Sequence, residues 1–189
     1  RPAIEQLEDR CLLATFVVNS TADPGSGGCD AAECTLREAI GAANGSPNTD
    51  SSGDGIADPD KIQFNIAATD PGHVYYRDDG VVGKVSTAII AATTAVDDAT
   101  IADLDPDWPH SWFSIQPTSA LGVITEAVII DGYSQSGTSP NTNAAESLVG
   151  LNTVLKIELN GTSAFANGLD IRVGGSTVRG LVINEFLRS

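Results

Sequence analysis

Apolar and polar positions along the chain alternate in short runs, with one clear exception that has helical period. Thr15 to Asn19 is dominated by β-branched and aromatic residues and is expected to form a first strand. Thr35 is followed three residues later by Glu38, a pattern in which the hydroxyl accepts from the Glu38 amide and the carboxylate reaches back to the Thr35 amide. Leu36, Ala39, Ile40 and Ala43 then recur on one face, so a helix is predicted over 35–44, with Asn44-Gly45 as its left-handed stop. Gly41 costs that helix about 1 kcal/mol relative to Ala, so packing must hold it, with Phe16–Val18 and Ile62–Ile66 as the expected partners.

The last third has a different texture. VIIDG, LKIELNG, GLDIRV and STVRGLVINEF are short β-rich runs ended by Gly, Asn or Asp. Ile129, Ile157, Leu159, Leu169, Ile171, Val178, Leu181 and Ile183 are the positions expected to point inward. Stacked solenoid coils fit this pattern, and a β-sandwich would produce similar strands. Between the two regions, the stretch from residue 71 to about 122 reads as irregular, with Pro, Asp clusters and both Trp residues.

Charge narrows the function classes. The chain carries 10 Lys and Arg against 25 Asp and Glu, a formal charge of −15. Such a field repels phosphate backbones, so no nucleic-acid partner is expected, whereas divalent cations are compatible with it. No apolar run reaches the roughly 18 residues of a membrane-spanning helix. A first residue of Arg rather than Met leads us to expect a longer precursor.

Cys29 and Cys34 are separated by Asp30-Ala31-Ala32-Glu33, a loop that closes if the chain turns there. In an exported protein the pair reads as a disulfide, with a metal pair as the weaker reading, because no second pair of ligands lies at metal spacing. Cys11 is left over.

CDAAECTLREAIGAAN followed by DKIQFNI resembles the CSLREA-type N-terminal module of large bacterial surface proteins, with Thr35 standing where that motif usually has Ser. LEDRCLLA is similar to a stretch near the start of exported giant bacterial proteins, and the runs after Val128 resemble the opening coils of the β-helix that usually follows the module. The resemblance implies export to the extracellular space or cell surface. It implies a mainly β fold, a right-handed parallel β-helix with an N-terminal α/β cap. The layout would be an export-associated lead at 1–14, the module at 15–70, an irregular insertion at 71–127 and opening coils at 128–189. The expected role is that of a non-catalytic, structural or adhesive cap. A polysaccharide-acting lyase or hydrolase and a calcium-dependent glycan-binding module are the alternatives.

The first candidate site is the loop Asp50 to Asp60. Asp50, Ser52, Asp54, the Ile56 carbonyl and Asp58 take the first, third, fifth, seventh and ninth places of an EF-hand-like calcium loop. Lys61 stands where a bidentate Glu is needed, leaving Asp60 as the substitute; a solvated acidic turn explains the same residues. Asp97, Asp98, Asp103, Asp105 and Asp107 form a second acidic cluster. Beside it, Trp108 and Trp112, with Tyr75 and Tyr76, could serve as platforms for a surface or extracellular polysaccharide, or as packing anchors. His73 and His110 stand apart from any nucleophile motif, and Ser134 lacks the glycine frame of a nucleophile elbow.

Overall fold

The CTLREAI segment folds around its own cap. In a computed structural model, which describes residues 13–24, 27–85, 87, 89–144, 146 and 148–187, helix α1 spans Leu36–Gly45 with Thr35 as N-cap. The Glu38 amide donates to Thr35 Oγ1 at 3.3 Å, and the Thr35 amide donates to Glu38 Oε2 at 2.8 Å. Leu36, Ala39, Ile40 and Ala43 are buried on one face, as their spacing predicts. The expected left-handed stop at Asn44-Gly45 does not occur. The helix runs through Gly45 and ends at an extended Ser46, because Asn44 is held by other partners: its Nδ2 donates to the Val123 carbonyl at 2.7 Å and its Oδ1 accepts from the Thr125 amide at 2.9 Å.

Gly27 approaches this cap so closely that an added Cβ would lie 2.0 Å from Glu38 Oε1, and its φ of +150° is itself unfavourable for other residues. Cys29 and Cys34 are joined in a disulfide that closes the loop leading into the cap, so the pair is not a metal pair.

Strands β1 (Thr15–Val18) and β2 (Asp60–Phe64) flank the helix in sequence and pack against it. The remaining strands are β3 (His73–Tyr76), β4 (Ile90–Ala92), β5 (Trp112–Ile115), β6 (Val128–Asp131), β7 (Ile157–Asn160), β8 (Thr177–Arg179) and β9 (Leu181–Asn184). They gather into a four-stranded sheet ordered β1-β2-β6-β8, all parallel, and a five-stranded sheet ordered β4-β3-β5-β7-β9. In the second sheet β3 runs antiparallel to both β4 and β5, while β5, β7 and β9 are parallel. Val18, Ile62 and Ile130 from one sheet and Phe113, Ile157 and Leu159 from the other share a core with the helix face.

This arrangement corrects the expected right-handed parallel β-helix with an N-terminal cap. The described residues form two sheets, one of them mixed, and the stretch expected to be irregular supplies β3, β4 and β5. The physical cause is the chain reversal between Tyr76 and Ile90. Gly80 and Gly83, both at positive φ, turn the chain back so that β4 pairs antiparallel with β3.

The inward positions also differ from expectation. Ile130, paired with Ile62 and Val178, lies in the buried column, and Ile129 lies outside it. Val178 and Ile183 occupy inward columns but remain 37% and 45% exposed, because β8 and β9 are edge strands with one neighbour each. Ile171 forms only an isolated bridge to Ile124 and is likewise exposed, whereas Leu169 and Leu181 pack partly against the core.

Candidate functional site: an aromatic cleft on the mixed sheet

Side chains alternate across a strand, so one face of the mixed sheet carries a row that the other does not share. His73 and Tyr75 of β3 turn into the protein, which leaves Val74 and Tyr76 on the opposite face; Val74 is paired with Trp112 of β5. Two strands further on, Glu158 of β7 pairs with Val182 of β9, and Asn184 follows at the next outward position. Tyr76, Trp112, Glu158 and Asn184 thereby line one open cleft of about 250 Å³, with Val85, Thr87 and Trp108 from the connecting loops also in its wall.

The cleft has a mostly apolar wall and a fixed carboxylate. Trp112 is buried, and its Nε1 donates to Glu158 Oε2 at 2.9 Å; Asn184 Nδ2 donates to Glu158 Oε1 at the same distance. The Tyr76 ring tilts against Trp112 at 4.5 Å between centroids and meets Trp108 edge-on at 6.3 Å. Trp108 rests on His110 at 4.6 Å and is 38% exposed. Burial raises the Tyr76 phenol above its ordinary value, and the Glu158 charge adds to the effect. Burial also lowers the His110 imidazole, with Lys156 acting in the same direction and Asp98 against it. A small number of placed polar groups in an apolar concavity is the usual composition of a small-molecule site.

No family model, curated protein or solved structure matches the chain. What the cleft can hold follows from its own residues.

Of the residues singled out in the sequence, the structure unites Trp108, Trp112 and Tyr76. Tyr75 is not a platform: it points inward and its hydroxyl donates to Asp103 Oδ1 at 2.6 Å. Glu158 and Asn184 were missed because they lie on distant strands, and only the register of β5, β7 and β9 brings them to Trp112.

The acidic loop is organised by its own donors. Asp50 Oδ1 accepts from the Gly53 amide at 2.6 Å and Oδ2 accepts from the Gly55 amide at 2.6 Å. Asp58 Oδ2 accepts from the Ser51 hydroxyl at 2.7 Å and from the Ser52 amide at 2.9 Å, and Asp54 accepts from the Ile56 amide. Hydrogen bonds from Gly55 and from Ser51 hold the Asp50 and Asp58 carboxyls, respectively, below their ordinary value. Asp60 lies apart, buried at the start of β2 with Oδ1 accepting from the Ala14 amide at 2.8 Å. The calcium set Asp50, Ser52, Asp54, Ile56, Asp58 and Asp60 is thus not gathered as one ring of ligands. Among the described residues no group of three or more His, Cys, Asp or Glu is placed to hold a metal.

The second acidic cluster is likewise tied into the protein. Asp97 caps a 3₁₀ turn at Asp98–Thr100, Asp103 binds Tyr75 and Arg77, and Asp107 accepts from the Lys84 amide. Asp98 belongs to a buried network invisible in the sequence. Lys156 Nζ and the Ser111 hydroxyl both donate to it, at 2.5 and 2.6 Å, and Ser111 Oγ lies 2.7 Å from His73 Nε2. Ser111 is 1% exposed and sits between Asp98, His73 and Lys156, so the group fastens the 97–111 loop.

Among the described residues no helix is long and apolar enough to cross a membrane.

Proposed function

We propose that this chain is a non-catalytic glycan-binding module of an exported, cell-surface protein, with the aromatic cleft as its binding site. The observation that carries this reading is the Trp112–Glu158–Asn184 hydrogen-bonded row in one cleft with the rings of Tyr76 and Trp108. A sugar ring has an apolar face and a rim of hydroxyl groups. Aromatic rings cover the first, and a carboxylate with unused lone pairs accepts from the second.

Two further observations support the reading. A disulfide between Cys29 and Cys34 suits an oxidising, extracytoplasmic compartment. Among the described residues the cleft is lined by one carboxylate, whereas glycoside hydrolysis generally uses two flanking the scissile bond, which favours binding over cleavage. The resemblance of the Cys29 to Ile40 segment to the CSLREA-type module enters the proposal as the basis for a bacterial surface location. Calcium is not part of the binding step in this reading, since no carboxylate of the 50–60 loop lines the cleft.

Calorimetric titration with a panel of soluble oligosaccharides tests the proposal. Binding that Trp108→Ala weakens roughly tenfold while the variant keeps a cooperative unfolding transition is expected, since Trp108 is partly exposed. Absence of binding across the panel, or binding indifferent to Trp108, would overturn it.

A further inference from the structure

Glu158 is the one charged side chain lining the cleft among the described residues, and none of their ion pairs includes it. Each of its oxygens accepts one protein donor, whereas a carboxylate offers about four acceptor positions. The orientation of Asn184 follows from this contact. Only its Nδ2 can donate to a carboxylate, so Oδ1, buried and without a hydrogen-bond partner, is the end of the amide turned away from Glu158. The tryptophan and tyrosine faces attract a cation within about 6 Å. The whole chain adds a field of −15.

A carboxylated or sulfated sugar would bring like charge to an unpaired carboxylate in that field, and a neutral sugar would leave the charge unanswered. We propose that the cleft selects a glycan bearing a free, protonated amine: an amino-sugar unit whose ammonium sits on Glu158 and whose ring lies against Trp108 and Tyr76. This assignment rests on the glycan-binding reading above. An ammonium has three N–H donors and no acceptor, which matches the spare capacity of Glu158, all of it acceptor.

Three oligosaccharides with the same β-1,4-linked backbone separate the possibilities, because they differ only at C2: hydroxyl in cello-oligosaccharide, acetamide in N-acetylated and ammonium in deacetylated glucosamine oligomers. Titrations of the full chain in mildly acidic buffer are expected to show the deacetylated oligomer binding roughly tenfold tighter than the other two. Glu158→Gln should reduce that preference to within about twofold, since an amide still accepts from Trp112 and can donate to Asn184 Oδ1. Trp108→Ala should weaken all three.

Equal binding of the three oligomers, each dependent on Trp108, would overturn the amino-sugar assignment and leave glycan binding standing. Failure of all three and of an oligogalacturonate would overturn both. A lysine peptide that binds as tightly as the deacetylated oligomer would show that charge alone is read, which also overturns the assignment.

Discussion

Arg37, the arginine of CTLREAI, fastens the N-terminal segment to a loop far away in the chain. Its Nε donates to Asp23 Oδ1 at 2.6 Å and its Nη2 to Asp23 Oδ2 at 2.9 Å, while Nη1 donates to the Ala120 carbonyl at 2.6 Å. Asp23 also accepts from the Thr118 amide, so removing the guanidinium leaves both a shielded carboxylate and an unbonded carbonyl. Arg37→Ala is expected to lower the free energy of unfolding by about 2 kcal/mol in urea denaturation, and Arg37→Lys to recover only part of it, because a lysine cannot span both carboxylate oxygens. Thr35 contributes through its cap: Thr35→Ala should cost about 1 kcal/mol, with Thr35→Ser close to the parent. The cap residues were legible in the sequence because a capping box is a local pattern. Asp23 was not, since nothing in the spacing of Asp23 and Arg37 signals a contact.

At the level of elements, the loop closed by Cys29 and Cys34 leads straight into α1, and its reduction should loosen the approach to the cap. A chain-entropy argument for so short a loop gives about 2 kcal/mol, observable as a lower melting temperature in reductant that a Cys29→Ser, Cys34→Ser variant reproduces without reductant. The 97–111 loop, which carries Trp108 over the cleft, is held by Asp98. Burial would raise the Asp98 carboxyl, but the hydrogen bonds from Lys156 and Ser111 outweigh it and keep the group below its ordinary value. The unfolded chain therefore takes up this proton more readily than the folded one. The stability it contributes is full above the ordinary carboxylate value and is lost as pH falls through the lower, folded value. The difference in melting temperature between the parent and Asp98→Asn should narrow as pH falls from about 5 to about 3; a constant difference would contradict the assignment.

For the molecule as a whole, 25 acidic residues against 10 basic ones make self-repulsion the dominant long-range term. Added monovalent salt is expected to raise the melting temperature, since screening at about 0.15 M shortens the reach of surface charge to about 8 Å. The same salt should weaken binding of an ammonium-bearing oligosaccharide more than that of a neutral one. Two sheets sharing one core also explain why the 71–127 stretch looked structureless. His73 to Tyr76 is short, its histidine and tyrosine read as polar or ambiguous, and its burial depends on partners drawn from β4 and β5.

By itself the sequence determined the local features: the helix and its capping box, the strand at Thr15, the cysteine pair and the acidic surface. Each depends on residues within about a turn of one another or on composition, so no long-range information was needed. Tertiary structure decided which strands share a sheet, the phase that buries Ile130 rather than Ile129, and the antiparallel course of β3 that replaced the expected solenoid. It also decided the cleft. Trp112, Glu158 and Asn184 meet only because parallel pairing sets β5, β7 and β9 side by side, and a one-residue slip in that register would turn Glu158 into the core.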